Sequence, residues 1–531
     1  MQSCNRKEGG TYMTRQHDAI VVGAGASGGL AAALLCERGM SVLLLDAGSS
    51  YPFWKKPLSK TVSAAIGAVS DPRLANVLHP RLINAGTKVL RGVGRIRQPV
   101  QTECFAWVQK PGIFVDDRDH PYETPADKPF TWIRSHGVGG RMVVPGHGRQ
   151  YYRFGATDIG PKDGAPSPWP FGIDELEPWY EQVERRLDLT GAQEGIDYIP
   201  DSVVARPISP NASESVLLET IHAEWPQAST MLSRYAPPVD FAGMAKATGR
   251  LTLRTNALVQ RILAGPDGRA RGAEWLDPIT GERETAEAPV VFLCASALES
   301  TRILLNSSTA SGPLGDQLPA LGRYLTDHVM VKAEGIRAAL PASAQAEAGR
   351  CVYLPRFDLR DGGDAHTRGM GIQLYPTVNP AGAWITAVAF GESAPTAENR
   401  VSLSSDKTDK WGAPALRIEM QWSDADRTLA ASMSRALDDL FAALGAKVLV
   451  RPEGPARPGT SVHECGGARL GTDATTSVLT PHNECWAMPG LYVTDGAALP
   501  SQGIQNPTLT IMALTARACA HVTGSGASRG I

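Results

Sequence analysis

The sequence lacks the features that mark disulfide-rich, nucleic-acid-binding and membrane-spanning proteins. Its eight cysteines are scattered along 531 residues, with no C-x-x-C pair and no metal-ligand spacing, so we predict neither a disulfide framework nor a metal site. The formal net charge of −2 gives no electrostatic attraction to nucleic acid or to an anionic membrane. The apolar stretch at residues 19–35 is too short to span a bilayer and is interrupted by glycines.

The start of the chain shows no targeting signal. Residues 1–16 are polar, without the apolar segment of a signal peptide and without a twin arginine, so we expect a disordered lead-in over residues 1–13 and a cytoplasmic protein. The length exceeds the size at which one hydrophobic core stops growing, which predicts two or more domains. Hydrophobic residues at 43% and charged residues at 20% are ordinary for a soluble globular protein.

The first motif lies close to the start. Ala19–Val22 is an apolar run of strand length, followed by a glycine loop over residues 23–29 and then by a helical stretch. Such a loop turns sharply and exposes backbone N–H groups at the positive end of a helix, where a pyrophosphate binds. Asp46 ends the next apolar run, at the position where an acid bonds ribose hydroxyls. We predict a dinucleotide site that includes Gly23, Gly25, Ala26, Ser27, Gly28, Asp46 and Ala47; the alternative is a tight glycine turn in another α/β protein, and the motif does not separate NAD from FAD.

A second motif lies near the end of the chain. Leu491–Thr494 reads as a strand that ends on Asp495-Gly496, which lets the backbone approach a cofactor closely. Asn506-Pro507 opens a helix that runs through His521, with an asparagine at a favoured N-cap position and a proline at a favoured first position. The positive end of this helix would stabilise negative charge on a bound cofactor.

The pattern of apolar residues in the middle of the chain predicts a second layer with its own sheet. Residues 173–190 and 424–444 have helical periodicity, while residues 251–262, 272–275 and 289–295 read as strands. Residues 415–422 alternate between apolar and polar, which is typical of a sheet with one packed face. The predicted fold class is α/β (α+β overall), with two parts. A Rossmann-type dinucleotide-binding domain takes residues 14–155, 251–330 and 456–531, and a substrate-binding domain of mainly antiparallel sheet backed by helices takes 156–250 and 331–455.

Several segments together resemble one family. The chain is similar to the glucose-methanol-choline (GMC) family of FAD-dependent oxidoreductases in segments spread over nearly its whole length, and these segments follow in the family's order. They are Val22–Gly29 with Asp46, Gly137–Arg141, Ala297–Leu305, Leu321–His328 and most of 463–520. The resemblance implies bound FAD, with Gly139, Gly140, Val259, Asp495, Gly496, Asn506, Pro507 and Thr508 among the residues that hold it.

The resemblance also implies a catalytic pair, His463 and Asn506. The two lie 43 positions apart, which fits the family's spacing between the histidine and the second His or Asn that face the flavin. A neutral imidazole can take the proton of an alcohol while its carbon gives up a hydride, and Asn506 would hold the oxygen. Two alternatives stay open: a structural role for His463, and an N-cap role alone for Asn506. We interpret His328 as structural.

The chain departs from the family at two places. Where some sugar-oxidising relatives attach the flavin through a histidine, this sequence has Val144, so we predict non-covalent FAD, with His147 as the only local alternative for a bond. In the pattern His-x-x-Gly-Thr, the threonine is replaced by Gly467, which removes a hydroxyl. We expect Cys465 to serve packing.

The predicted function is FAD-dependent oxidation of a primary or secondary alcohol to the carbonyl. Residues 114–117 and 506–514 resemble the branch that acts on sugars, aminosugars and sugar acids, as oxidases or dehydrogenases. Residues of the middle region that could contact such a substrate are Tyr353, Gln373, Tyr375, Trp384 and Trp411, each with core or rim packing as the alternative. Two other functions remain: the flavoprotein subunit of a membrane-linked sugar dehydrogenase, and a lyase with structural FAD. Exact substrate, electron acceptor and oligomeric state are not readable from the sequence.

Overall fold

The computed structural model describes residues 17–48, 97–107, 111–165, 167–341, 347–364, 367–379, 382–451 and 454–524. The lead-in predicted at residues 1–13 lies outside them. The α-helices are α1 (Ala26–Glu37), α2 (Ala156–Ile159), α3 (Glu177–Leu187), α4 (Ala212–Glu224), α5 (Phe241–Ala247), α6 (Ala297–Leu305), α7 (Leu314–Gln317), α8 (Asp424–Ala443) and α9 (Thr508–Thr523).

The strands are β1 (Ala19–Val22), β2 (Val42–Leu45), β3 (Tyr122–Glu123), β4 (Thr190–Gly191), β5 (Arg206–Pro207), β6 (Met231–Leu232), β7 (Leu251–Arg254), β8 (Leu258–Ala264), β9 (Ala270–Leu276), β10 (Arg283–Glu287), β11 (Val290–Leu293), β12 (Ser308–Thr309), β13 (Gly312–Pro313), β14 (Val329–Arg337), β15 (Val352–Leu354), β16 (Met370–Asn379), β17 (Gly382–Gly391), β18 (Arg400–Thr408), β19 (Pro414–Glu419), β20 (Lys447–Val450) and β21 (Leu491–Val493).

A five-stranded parallel sheet, in the order β21-β11-β1-β2-β7, joins the two ends of the chain. Its strands β1 and β2 are buried along their whole length, as expected for a sheet covered on both faces. The carboxyl ends of β1, β2 and β21 lead into the glycine loop, Asp46 and Asp495 at the same edge. This arrangement confirms the predicted Rossmann-type domain.

The second sheet is antiparallel and has six strands in the order β20-β14-β17-β16-β15-β6. Along β17 most of the buried residues alternate with half-buried ones, so the sheet has one packed face and one partly open face. The helix α8 packs on it through Met433, Leu437 and Leu440, and a capping box at Ser423 begins that helix. The prediction of a mainly antiparallel sheet backed by helices is confirmed.

The strand predicted over residues 251–262 is wrong as a single element. Asn256 has a left-handed backbone with φ of 56°, which breaks the run into β7 and β8. β7 adds to the parallel sheet, whereas β8 pairs antiparallel with β9 in a small separate sheet. The alternation of apolar and polar residues does not reveal the break, because the segments on both sides of it are extended whichever sheet they join.

The division into domains stays a prediction, and we propose one change to it. Residues 156–250 were assigned to the substrate-binding domain. Within that span, Tyr180 and Val183 of α3 and Phe241 of α5 pack in the same hydrophobic core as β1 and α1. We therefore propose that α3 and α5 belong to the dinucleotide-binding domain. Within the described ranges, no helix is both long enough and apolar enough to cross a bilayer.

Candidate active site

A cavity of about 870 Å³ runs from the carboxyl edge of the parallel sheet to the open face of the six-stranded sheet. It brings together both residues predicted to be catalytic and most of the residues predicted to bind the cofactor. Those that line it are Gly23, Gly25, Ala26, Ser27, Asp46, Ala47, Gly140, Val259, His463, Asp495, Gly496, Asn506, Pro507 and Thr508. Gly28 and Gly139 are absent from the lining, since both serve the close packing of the loops beneath it.

Two glycine loops meet backbone to backbone at the floor of this cavity. The N–H of Gly139 donates to the Ala24 carbonyl at 2.9 Å. A Cβ on Gly140 would lie 2.8 Å from the Cα of Gly25, and one on Gly28 would lie 1.8 Å from the Gly23 carbonyl oxygen. The absence of side chains therefore creates the cradle along which an extended cofactor can lie.

Asp46 organises the same loop from the end of β2. Its carboxylate accepts from the N–H of Ala24 at 2.8 Å and from that of Gly48 at 2.7 Å. Burial raises its pKa, and the two backbone donors oppose that effect. Because Asp46 also faces the cavity, it is placed to bond the ribose hydroxyls of a dinucleotide.

Two helices point their positive ends at the cavity. The N-cap of α1 is Gly25, which has no side chain to satisfy the first turn, and that turn holds no acidic residue. At α9 the N-cap is Pro507, whose side chain cannot accept a hydrogen bond, and the first turn again holds no acidic residue. Exposed N–H groups and the positive helix ends favour negative charge at both places. Together with the glycine cradle and Asp46, these residues fit FAD.

Asn506 does not act as the N-cap of α9. The helix begins at Thr508 with Pro507 before it, and neither end of the Asn506 amide caps the first turn. The amide nitrogen instead lies 3.1 Å from Nε2 of His463, and the amide oxygen accepts from Nε2 of Gln373 at 3.0 Å. The alternative of an N-cap role alone is therefore wrong: the side chain faces the histidine.

His463 makes its second ring contact with His328. The two Nδ1 atoms are 2.9 Å apart, and Nε2 of His328 lies 2.9 Å from the Gly503 carbonyl. A carbonyl only accepts, so His328 carries its proton on Nε2 and offers a lone pair at Nδ1. His463 must then donate from Nδ1, which leaves the lone pair of its Nε2 directed at Asn506. This is the tautomer that can accept a proton.

Burial keeps both rings neutral. Desolvation lowers the pKa of His463 well below 6.5, and the neighbouring His328, Arg141 and His147 lower it further. The pKa of His328 falls to about 4, mainly because of burial. Sequence reasoning treated His328 as structural; the motif Asp327-His328 was visible, but only the fold places its ring against His463.

The loop that carries His463 is held by buried charges. Asp327 accepts from the backbone N–H of His463 at 3.2 Å and from that of Gly459 at 2.7 Å. Burial, together with the nearby Glu464, raises the pKa of Asp327 to about 7. Glu464 in turn forms a bidentate pair with Arg141 at 2.7 and 3.1 Å. These contacts fix the histidine backbone relative to the glycine loop that contains Arg141.

Asp495 lies at the end of β21, beside the cavity. Its carboxylate accepts from the N–H of Ala497 at 2.9 Å and from the Ser300 hydroxyl at 2.5 Å. Burial raises its pKa to about 6. Asp495 thus caps the turn Gly496–Ala498 that follows the strand.

The structure shows what surrounds the two positions, Gly467 and Val144, at which the sequence departs from the family pattern. A Cβ at Gly467 would lie 2.4 Å from the Thr301 hydroxyl oxygen, and Gly467 has a φ of 93°, so Thr301 occupies the space that a side chain would need. Val144 is buried in a small apolar cluster. His147 lines the cavity with Nε2 at 3.4 Å from the Cys104 sulfur, and burial lowers its pKa to about 4.

The wall of the cavity beside His463 and Asn506 was only partly anticipated. It is the open face of the six-stranded sheet, where residues two apart on each strand point into the cavity. These residues are Met330, Lys332, Gln373, Tyr375, Thr386, Val388 and Phe390. Gln373 and Tyr375 were among the residues proposed for substrate contact, whereas Lys332 and Thr386 were missed because their strands carried no distinctive pattern.

Two family models and several known proteins match this chain. The GMC oxidoreductase model matches residues 395–515, and a model of an NAD(P)-binding Rossmann-like domain matches residues 21–51. The 2-methyl-1,2-propanediol dehydrogenase of Mycolicibacterium austroafricanum is 25% identical, over 78% of this chain and 85% of that protein. The paromamine 6'-oxidase of Streptomyces fradiae is also 25% identical, over 97% and 93%.

Among solved structures, pyridoxine 4-oxidase from Mesorbium loti shares the fold. The TM-score is 0.61, with 18% identity over 96% of this chain and 99% of that one. The matched segments contain the glycine loop, His463 and Asn506, which are the residues that the cavity brings together. Residues 395–515 match the GMC oxidoreductases, and the similarity of the chain to oxidases and dehydrogenases supports an FAD-dependent oxidoreductase that acts on CH–OH groups.

Proposed function

We propose that this enzyme oxidises a hydroxyl group of a sugar-like or polyol substrate to the carbonyl, with His463 as the general base and Asn506 as the group that holds the oxygen. One observation carries the proposal: the amide nitrogen of Asn506 lies 3.1 Å from Nε2 of His463 at the wall of the FAD cavity, with its N–H directed at the lone pair of Nε2. A substrate hydroxyl that replaces this hydrogen bond would meet one acceptor and one donor.

In this proposal, each residue at the site has one role in the reaction. His463 accepts the hydroxyl proton at Nε2, and His328 Nδ1 accepts the hydrogen bond from the N–H on the other side of the ring. Asn506 donates to the substrate oxygen and so orients the C–H bond. Bound FAD supplies the acceptor for the hydride that leaves this carbon. The helix α9 directs its positive end at the cavity, where negative charge develops.

The wall of the cavity supports a substrate rich in hydroxyl groups. Gln373, Tyr375, Thr386 and Lys332 add an amide, two hydroxyls and an ammonium group to the lining of the same cavity. Polar groups at fixed positions can form hydrogen bonds with the several hydroxyls of a polyol, whereas a simple aliphatic alcohol offers only one hydroxyl to them. The diol and paromamine in the names of the two relatives agree with this substrate class.

Two further parts of the proposal concern the cofactor and the location. We propose non-covalent FAD, since the family's attachment position is Val144, an apolar residue that cannot form the bond. We propose a cytoplasmic location because the seven cysteines in the described ranges are all unpaired, which suits a reducing compartment.

The test is the visible spectrum of the purified protein under anaerobic conditions, with a panel of sugars, aminosugars and simple alcohols. Bleaching of the oxidised flavin band by the hydroxyl-rich compounds, and weaker bleaching by simple alcohols, is the expected result. Admitting air then separates an oxidase from a dehydrogenase. A flavin that no alcohol reduces would favour the lyase hypothesis and contradict the proposal.

The role of His463 is tested by His463→Ala. The variant should keep bound FAD and lose about 10²- to 10⁴-fold in the rate of flavin reduction. His482→Ala is the matched control, because His482 lies outside the cavity, and it should reduce flavin at the wild-type rate. Unchanged reduction by His463→Ala would disprove the base assignment.

A further inference from the structure

We infer that Gln373 is a positioning residue that fixes the orientation of the Asn506 amide, so that its N–H side and not its oxygen faces His463. The inference rests on the proposed function only for its consequence in catalysis. Its basis is a continuous chain of hydrogen bonds from the substrate-facing sheet to the catalytic histidine. No pattern in the sequence connects Gln373 with Asn506.

At one end of this series of hydrogen bonds, the Gly503 carbonyl determines which groups donate and which accept. That carbonyl makes His328 a donor at Nε2 and an acceptor at Nδ1, and His463 therefore donates from Nδ1 and accepts at Nε2. Asn506 must present its NH₂ group to His463. Its oxygen is then turned toward Gln373.

The hydrogen bonds at the other end of the series lead independently to the same assignment of donors and acceptors. Nε2 of Gln150 donates to the Tyr375 hydroxyl at 3.0 Å, and that hydroxyl donates to Oε1 of Gln373 at 2.8 Å. With its oxygen taken, Gln373 donates from Nε2 to the Asn506 oxygen at 3.0 Å. Burial raises the pKa of Tyr375 well above 10, so its O–H stays a donor at physiological pH.

The sheet makes Gln373 and Tyr375 a rigid pair. They lie two residues apart on β16 and so point to the same face, opposite Val388 and Thr386 of β17. On the next strand of the sheet, Tyr353 donates to Oε1 of Gln505 at 2.8 Å, directly before Asn506 in the chain. The substrate-facing sheet therefore holds the catalytic loop at two adjacent residues.

An inverted amide would disable the base. With the oxygen of Asn506 facing Nε2, His463 would need a proton on that nitrogen, while His328 continues to accept from Nδ1. The ring would be held as the imidazolium, which cannot accept a proton from an alcohol. Gln373 thus contributes to catalysis through Asn506 and not by contact with the reacting atoms.

The variant Gln373→Glu removes the hydrogen-bond donor that faces the oxygen of Asn506. An ionised carboxylate still accepts from Tyr375 but cannot donate to Asn506, so the amide turns and the pKa of His463 rises. The other titratable groups facing His463 are His328, Arg141 and His147; those near position 373 are Tyr375, Tyr353 and, across β17, Lys332. None of them is altered in the variant. Gln373→Met removes the donor at every pH, including pH values at which the carboxyl group introduced by Gln373→Glu would be protonated.

The experiment follows the ring nitrogens of His463 by ¹⁵N NMR of histidine-labelled, FAD-bound protein without substrate, with His463→Ala to assign the signals. In the wild type, the ring should stay neutral with its proton on Nδ1 between pH 6 and 8. In Gln373→Glu and Gln373→Met, we expect one of two changes. Either the pKa of His463 is at least one unit higher than in the wild type, or the neutral ring becomes a mixture of two tautomers. Gln227→Glu, at an exposed glutamine, is the matched control and should titrate as the wild type.

The proposal is overturned if both Gln373 variants bind FAD and show the wild-type titration and tautomer of His463. The visible flavin spectrum and the thermal midpoint establish that each variant is folded and loaded. Because no substrate is present, this result is independent of whether a sugar-like alcohol reduces the flavin. A failure of the proposed function would leave the NMR outcome unchanged.

Discussion

The hydroxyl of Ser27 in α1 lies 2.9 Å from the hydroxyl of Thr494, 467 residues later in the chain. It lies at the same distance from the hydroxyl of Thr515 in α9. These contacts join the first helix to the last strand and the last helix. The glycine cradle and the C-terminal segment that carries Asn506 are therefore parts of one buried unit, although they come from opposite ends of the sequence.

The Ser27 contacts predict a stability effect. Ser27→Ala should lower the free energy of unfolding by about 1–3 kcal/mol, because two buried threonine hydroxyls each lose a hydrogen-bond partner. Chemical denaturation of the FAD-loaded protein measures the change. Ser405→Ala removes an exposed hydroxyl and should stay within about 0.5 kcal/mol of the wild type. Equal stability of the two variants would show that the buried cluster contributes nothing.

The glycine contact between the two loops predicts loss of cofactor on a single methyl substitution. Gly140→Ala places a Cβ 2.8 Å from the Gly25 Cα, at a φ of 55°, so the cradle must open. Gly39→Ala has at least as much backbone strain, with a φ of 94°, but nothing lies within 4 Å of the added atom. We expect Gly140→Ala to lose most of its bound FAD and Gly39→Ala to keep it, as measured by the ratio of flavin to protein absorbance.

The contact of His328 with His463 predicts a graded loss of activity. His328→Leu removes the acceptor at Nδ1, so His463 can move its proton to Nε2 and lose its basic lone pair. Flavin reduction should fall on the order of 10²-fold, within the range that general-base help supplies.

The conservative variant separates this role from packing. The oxygen of Asn at position 328 can take the place of the Nδ1 acceptor, so His328→Asn should retain more of the rate than His328→Leu. Stopped-flow reduction of the two variants measures the difference. Identical rates, with FAD bound in both, would mean that His328 only fills space.

The nucleotide site could be predicted from the sequence because its signals are local. The glycine loop, the flanking strand and Asp46 follow each other within 28 residues, and each has a backbone reason for its position. The same holds for the helix after Pro507. Such features depend on φ, on helix ends and on strand length, which short segments determine on their own.

The hydrogen-bond chain around His463 could not be predicted in this way. Gln373, His328 and Gly503 come from three distant segments, and each is unremarkable within its own strand or loop. Their meeting depends on how the six-stranded sheet packs against the parallel one. The amide of Asn506 illustrates the difference: local rules favour an N-cap at this position, yet the tertiary contact with His463 determines where the side chain points.

The buried environment of His463 predicts the pH dependence of flavin reduction. An unperturbed histidine base would lose activity as the pH falls through about 6.5. Here burial lowers the pKa of His463 well below that value, with His328, Arg141 and His147 acting in the same direction. A lowered pKa means that the neutral, active form persists at lower pH. The anaerobic reduction rate at saturating substrate should therefore stay constant from pH 8 to below 6.5 and fall only at more acidic pH. Wild-type protein with an acid limb centred near 6.5 would show that His463 is hydrated when substrate is bound, and a fall above pH 7 would point to a different base.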